Sequence, residues 1–329
     1  MYVLAVDIGC SSMKFVGGVA NRPGPDICVM TIDGITLERG GKISNVNIGE
    51  GVEVWVDGKQ YKIGEKTHSM SGLEGPLNKD FTDSPDYMAF YYAALKLSRM
   101  ERISKVVMGL PVALFQVEGK VEELMKMLTG LHEVAPGHSV EILSAEVVPS
   151  PIGSIMNILD SMPCEQEMFA SETLVIDIGF SSVDWVYHSN LKVKHERSWS
   201  SALAMSHIIE KAVSLIREEH NYRMSCQKLE QAIKRGRKLI MLGSVKIDID
   251  ELFGRVISSV KPAILNHLNL SMLGKIEDLD NVVLTGGGAR YYCEVVKEMF
   301  PHAYIWCPVD SVTANAKGFW RWGTEDLTP

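Results

Sequence analysis

Two short runs in the sequence carry the residue types that hold phosphate. Asp7-Ile8-Gly9-Cys10-Ser11-Ser12 lies near the start, and Asp177-Ile178-Gly179-Phe180-Ser181-Ser182 lies about half the chain later. In each an acid comes first, then a glycine that lets the backbone turn tightly and lets a ligand approach. Serines follow, and consecutive turn N–H groups with serine hydroxyls can wrap a phosphate. The leading aspartate can hold a metal-bound water. A third run, Thr285-Gly286-Gly287-Gly288-Ala289-Arg290, follows the apolar stretch Asn281–Leu284 and precedes a helical pattern over Tyr291–Phe300. A strand that runs into a glycine turn and a helix start is a common phosphate or nucleotide site. Alone, three glycines are weak support; in a chain that also carries two Asp-Gly runs they weigh more.

The elements that must position these residues are legible beside them. Residues 4–16 read LAVDIGCSSMKFV and residues 174–186 read LVIDIGFSSVDWV, so Asp7 matches Asp177, Gly9 matches Gly179 and Val16 matches Val186. Apolar strands resemble one another through burial alone. Core packing does not demand the shared polar D-I-G-x-S-S, so the match points to duplication. Each copy predicts a strand, a tight turn and a second strand, a hairpin with an acid at its mouth. One hairpin per domain would grip a polyphosphate from both sides of a cleft that opens and closes.

Elsewhere, residues 27–64 are strand-rich, with a hairpin at Val54–Val56, Asp57-Gly58 and Gln60–Ile63. Helices are expected over Asp86–Met100 (started near Ser84-Pro85), Gly119–Leu131, Pro151–Leu159, Ser201–Glu219, Cys226–Arg237, Asp250–Leu268 and Asn315–Trp322. Strands are expected over Ile103–Met108 and Val140–Val148, and a surface loop over Glu165–Ala170. The last helix, with Trp320 and Trp322 as packing residues, would return to complete the first domain.

The chain has 329 residues, enough for two α/β domains, with 46% hydrophobic and 22% charged residues. The net charge of −8 argues against direct coating of nucleic acid. The basic cluster Lys234, Arg235, Arg237 and Lys238 reads as a solvated helix face. Six scattered cysteines without Cys-x-x-Cys or zinc spacing suggest buried thiols in a reducing compartment. No signal peptide, membrane-length apolar run or amphipathic anchor is expected, which makes the protein cytoplasmic. The methionines read as core filler, and the histidines show no ligand spacing.

With these motifs in place, the chain resembles the actin, sugar-kinase and heat-shock-chaperone ATPase superfamily. The stretches VEVWVDGKQYKIGE, MGLPVALF, LTGGGA and ANAKGFWRWG are similar to bacterial and archaeal actin-like proteins of the ParM/StbA plasmid-segregation type. The resemblance implies an α/β fold of actin-like (ribonuclease-H-like) duplicated domains with a nucleotide cleft between them. Domain I would span 1–152, with a small β-rich subdomain at about 27–75; domain II would span 153–310, and 311–329 would return to domain I. It implies ATP and Mg²⁺ as ligands. The first phosphate loop would be Asp7, Gly9, Cys10, Ser11, Ser12 and Lys14, the lysine reaching the β- and γ-phosphates as a compact cation on a long stem. The second would be Asp177, Gly179, Phe180, Ser181 and Ser182. Asp7 and Asp177 would hold Mg²⁺ mostly through water, and Asp177 would help orient the attacking water. Gly286, Gly287, Gly288 and Ala289 would pass along the base and ribose, flanked by Lys228 and Glu230. The family places a Glu or Gln just before the joining helix to activate water, a position that Glu146 fits in spacing; a strand-end surface glutamate is the alternative. Two residues depart from the pattern. Cys10 stands where many relatives have a Ser or Thr, and Phe180 where a small residue is usual, which implies binding with slowed hydrolysis.

Three functions follow from the resemblance. The first is an ATPase that polymerises head to tail and moves DNA or positions cargo through a DNA-binding adaptor, with no direct nucleic-acid or membrane contact. The second is a non-polymerising ATP-binding assembly adaptor. The third is a small-molecule kinase, for which no substrate-loop motif is present.

Overall fold

The computed structural model describes residues 1–10, 12–20, 27–33, 35–37, 51–64, 80–161, 170–190, 192–272, 275–307 and 310–325. Ser11, most of the expected loop 165–170, and parts of the expected 27–75 subdomain lie outside the described residues. Contacts divide the chain into two units, 1–165 with 312–329, and 166–311. Among the described residues no helix is long and apolar enough to cross a membrane.

In the first unit, β1 (Tyr2–Ile8) turns back into β2 (Ser12–Val19), and β3 (Ile27–Asp33) pairs beyond it. β4 (Ile35–Leu37), β5 (Val52–Val56) and β6 (Lys59–Ile63) form a small sheet in the order β4-β6-β5. The Asp57-Gly58 turn joining β5 to β6 has φ of 50° and 74°, the positive pair that matches strand twist in a two-residue hairpin. Helix α1 (Pro85–Ser98) starts where Ser84 caps it, its side chain accepting from the Tyr87 N–H, with Pro85 in the first turn. Its Tyr87, Phe90 and Tyr91 are buried.

After β7 (Arg102–Ile103) and β8 (Lys105–Leu110) come α2 (Val112–Phe115) and α3 (Lys120–Leu128). The expected helix to Leu131 stops at Leu128. Thr129 is extended and Gly130 takes φ 108°, which opens β9 (Gly130–Ala135). The single strand expected over 140–148 is two: β10 (His138–Ile142) and β11 (Ala145–Pro149). They belong to different sheets, β7-β10-β9 and β11-β8-β1-β2-β3, and alternation of apolar residues cannot reveal a change of sheet. Helix α4 (Ser150–Ser161) follows.

The second unit repeats the plan. β12 (Glu172–Ile178) and β13 (Val183–Ser189) form the hairpin; β14 (Lys192–Val193) and β15 (Trp199–Ser201) pair with β13. Because β15 takes residues up to Ser201, α5 starts only at Met205 and runs to His220. α6 (Cys226–Lys234) leads into a hairpin that the sequence reading missed, β16 (Leu239–Leu242) and β17 (Val245–Asp248). Then come α7 (Ile249–Met272), β18 (Asn281–Thr285), α8 (Ala289–Met299) and β19 (Tyr304–Trp306). The order β14-β13-β12-β18-β19 mirrors β3-β2-β1-β8-β11 of the first unit, with the first three strands antiparallel and the last two added parallel in both. The tertiary structure therefore carries the duplication.

Helix α9 (Ala314–Glu325) packs in the first unit. Its Ala316 and Phe319 join Val3, Ala5, Val16, Val107 and Val148 in one apolar cluster, with Trp320 and Trp322 at its margin. It meets α4 backbone to backbone, since a Cβ on Gly318 would overlap the Gly153 carbonyl and a Cβ on Gly109 would strike the Phe319 ring. A side chain in so close a seam costs about 1–3 kcal/mol through overpacking. Phe319→Ala should lower unfolding free energy by about 3–5 kcal/mol, and Gly318→Ala by about 1–3 kcal/mol, both read from urea midpoints. Burial on β13 also holds His188 down at about 4, with 2% of the residue exposed. A group depressed in the folded state is neutral there and charges first in the unfolded chain. Its contribution is therefore complete above about pH 6.5 and is lost as pH falls toward 4. Urea titrations across that window should show a loss of a few kcal/mol, absent in His188→Leu.

Candidate functional site

The two D-I-G turns close in the same way. The Gly9 N–H donates to the Ser12 carbonyl at 3.0 Å, and the Gly179 N–H donates to the Ser182 carbonyl at 2.9 Å. The pairing registers also correspond, Asp7 opposite Lys14 and Asp177 opposite Asp184. Each aspartate is the penultimate residue of its strand, so the pleat and the turn fix where it stands.

In the first unit Lys14 Nζ lies 3.5 Å from Asp7 Oδ2, with both side chains largely shielded. Cys10 is buried beside them. On α1, Tyr87 is fully buried, and burial first, then the charge of Asp7, raises its phenol well above the ordinary tyrosine range. Tyr87 lies in the helix expected over Asp86–Met100; its nearness to Asp7 comes from packing and has no sequence signal.

In the second unit the glycine turn comes directly against the hairpin acid. A Cβ on Gly286 would run into Asp177 Oδ1 and the Ile178 carbonyl, and Gly286 has φ 85°. Gly288 donates to the Ile178 carbonyl at 2.9 Å, and a Cβ there would strike Ile178 and Met205. Gly287 differs: a Cβ there would meet nothing within 4 Å. Gly286 and Gly288 are thus required by packing, while Gly287 presents open backbone. Ala289, buried, begins α8. The turn is anchored from its other side by Ser311, whose carbonyl accepts from Gly286 N–H at 3.1 Å and Thr285 Oγ1 at 3.3 Å.

Phe180 packs against the core of this unit, and the Gly179 and Phe180 carbonyls accept from Met205 and Ser206 at the start of α5. The bulky side chain therefore points into the fold, and its backbone caps a helix. Ser182 donates to Asp184 Oδ2 at 2.6 Å, and Ser200 donates to the other oxygen. Two hydroxyls thus bond this buried carboxylate, one on each oxygen. Ser181 stands half-buried between Phe180 and Ser182.

Other expected residues fall elsewhere. Glu146 lies inside β11, opposite Val107, and its carboxylate is occupied: Lys105 Nζ is 2.7 Å from Oε2 and Trp322 Nε1 donates to Oε1 at 2.5 Å. The position just before α4 is Pro149, with Ser150 opening the helix. Glu146 thus ties α9 to the sheet, and sequence spacing to Gly153 misled because β11 extends past it. Lys228 and Glu230 do not converge either. Two positions apart on α6 they face different sides: Lys228 is exposed against the Tyr222 hydroxyl at 3.3 Å, and Glu230 is buried, 3.0 Å from Lys234.

Among the described residues no group of three or more His, Cys, Asp or Glu side chains could hold a metal ion. Within each unit the residues suit an anion better than a bare cation: turn N–H groups with Lys14 in the first, and turn N–H groups with the open Gly287 backbone in the second. Gly286→Ala should destabilise the fold, because φ and packing both exclude a side chain. Gly287→Ala should leave the unfolding free energy within about 0.5 kcal/mol of the parent, read from urea midpoints.

Comparisons with known proteins agree with this geometry. Residues 5–153 match the family of actin-like proteins, N-terminal domain, and residues 175–298 match the archaeal actin homologue MreB-like C-terminal family. No curated protein sequence matches the chain. Among solved structures, an archaeal actin homologue, Ta0583, in complex with ADP superposes with a TM-score of 0.75 at 17% identity, over 99% of this chain and 100% of that one. A ParM from a 15-stranded filament of Clostridium botulinum gives 0.72 at 17% identity, over 98% and 99%. The actin-like protein Alp7A gives 0.71 at 14% identity, over 99% and 96%. With a family match on either side of its duplication and this architecture, the chain belongs to the actin-like proteins.

Proposed function

We propose that the protein is an actin-like ATPase that binds Mg·ATP through its two D-I-G-x-S-S hairpins and assembles into filaments. The observation that carries the reading is the hairpin itself, built twice with the same turn hydrogen bond and with the open Gly287 backbone beside the second copy. Lys14 would meet phosphate oxygens, Asp7 and Asp177 would hold hydrated Mg²⁺, and Asp177 would orient water. Bound Mg²⁺ would neutralise charge on the phosphates. The structures of an ADP complex and of filaments among similar proteins support the same reading. Transport or positioning of DNA through an adaptor is the cargo role we infer; the net charge of −8 favours an adaptor over direct contact.

Exposed surfaces on the two units support head-to-tail assembly. On the β16–β17 hairpin, Leu239 and Met241 are 49% and 52% exposed, next to Lys238 and Lys246. On β9 and after β10, Leu131 and Leu143 are 73% and 47% exposed, next to Glu133 and Glu141. Exposed apolar side chains on unlike surfaces of one chain suit a heterologous contact, which does not close on itself.

The engagement of Glu146 favours a second reading, a non-polymerising ATP-binding assembly adaptor that hydrolyses slowly, in which Asp177 alone orients water. Sedimentation with light scattering at micromolar protein separates the two. Mg·ATP should drive pelleting; Asp177→Ala should assemble without disassembling; Met241→Glu should bind nucleotide yet stay in the supernatant. A parent protein that binds ATP and remains monomeric across salt and concentration would sink the filament reading.

A further inference from the structure

The cysteines are not all buried or scattered in space. Cys293, in the second turn of α8, and Cys307, directly after β19, bring their sulfurs to 3.0 Å in a thiol–thiol hydrogen bond at the surface. Cys307 is exposed and Cys293 half-buried, whereas Cys226 is exposed elsewhere and Cys10 is buried. The two sulfurs need only a small approach to bond, and both can be reached by a small oxidant.

We propose that Cys293 and Cys307 are a modification site, a reversible disulfide formed by exchange with a low-molecular-weight disulfide such as oxidised glutathione, which stiffens the Gly286–Gly288 turn. The Cys293 thiolate attacks one sulfur of the small disulfide; the S–S bond breaks, and one small thiolate leaves. The Cys307 thiol then gives its proton to solvent and attacks the Cys293 sulfur, expelling the second small thiolate. Two protein thiols are oxidised, one small disulfide is reduced to two thiols, and no other electron carrier is needed. Partial burial first, then the hydrogen bond with Cys293, raise the Cys307 thiol.

The consequence for the turn follows from the connections on either side of it. Gly286–Gly288 leads directly into α8, which carries Cys293. Ser311, whose carbonyl holds Gly286 N–H and Thr285 Oγ1, lies just past Cys307. A bond between the two cysteines closes a short ring through β19 and removes freedom from both flanks of the turn at once. In a reducing cytoplasm the ring stands open, and oxidant exposure closes it. The effect on nucleotide rests on the reading of this turn as a nucleotide contact; the disulfide itself does not.

Full-length protein is equilibrated in glutathione redox buffers, quenched by alkylation, and mapped by peptide mass spectrometry. The expected product is a single internal Cys293–Cys307 bond, seen as the loss of two hydrogens, with a raised thermal midpoint that dithiothreitol reverses. Cys307→Ser should instead trap one glutathione on Cys293. Separate glutathiones on both cysteines, or unmodified thiols under conditions that modify Cys226, would overturn the site. Release of a fluorescent ADP analogue should be several-fold slower from the oxidised form. Equal release rates with the bond formed would overturn the coupling to the turn, and absence of ADP binding in either form would overturn the nucleotide reading alone.

Discussion

The structure depends on one hydrogen bond made twice, from the glycine of D-I-G to the serine carbonyl that closes the turn. That bond sets the hairpin register, and the register decides which residue stands opposite each acid. A slip of one residue would send Asp7 and Asp177 to the other face of their sheets. The parallel neighbours β8 and β18 then lie against fixed partners, and the glycine turn after β18 can arrive only where β12 has already placed Asp177. In the second unit this leaves so little room that two of three consecutive glycines have no alternative.

The same constraint separates the halves chemically. Opposite Asp7 stands Lys14, a cation close enough to pair; opposite Asp177 stands Asp184, whose charge is met by serine hydroxyls. A duplicated backbone has therefore diverged into one turn beside a cation and one beside a hydrogen-bonded carboxylate. The Phe180 side chain, which in the sequence looks like an obstacle to phosphate, packs half-buried against the core, while its carbonyl satisfies a helix start.

Sequence patterns disclosed what depends on local chemistry. The polar D-I-G-x-S-S, the Asp57-Gly58 turn and the Ser84-Pro85 cap each specify geometry within a few residues, and each forms as read. What failed depended on partners distant in the chain. Glu146 has the right spacing from Gly153, yet Lys105 and Trp322 claim it, and neither is near in sequence. Lys228 and Glu230, two positions apart on α6, face different sides, Lys228 toward Tyr222 and Glu230 toward Lys234. The β16–β17 hairpin has only a short signal, the apolar run Leu239–Leu242, a Gly243-Ser244 turn and the alternating Val245–Asp248, set between longer helical patterns. The contact of Cys293 with Cys307 needed β19 to fold back along β18, which no spacing rule encodes.

The seam between Gly153 and Gly318 has a consequence for biosynthesis. Helix α9 is translated after the entire second unit, yet its Phe319 fills the core of the first. On the ribosome the first unit must wait with an apolar face uncovered, while the second can close as soon as β19 and Ser311 emerge. The order of folding is thus the reverse of the order of synthesis, and the exposed sheet face in the interval is where a nascent chain of this architecture is most open to chaperone capture or mispairing.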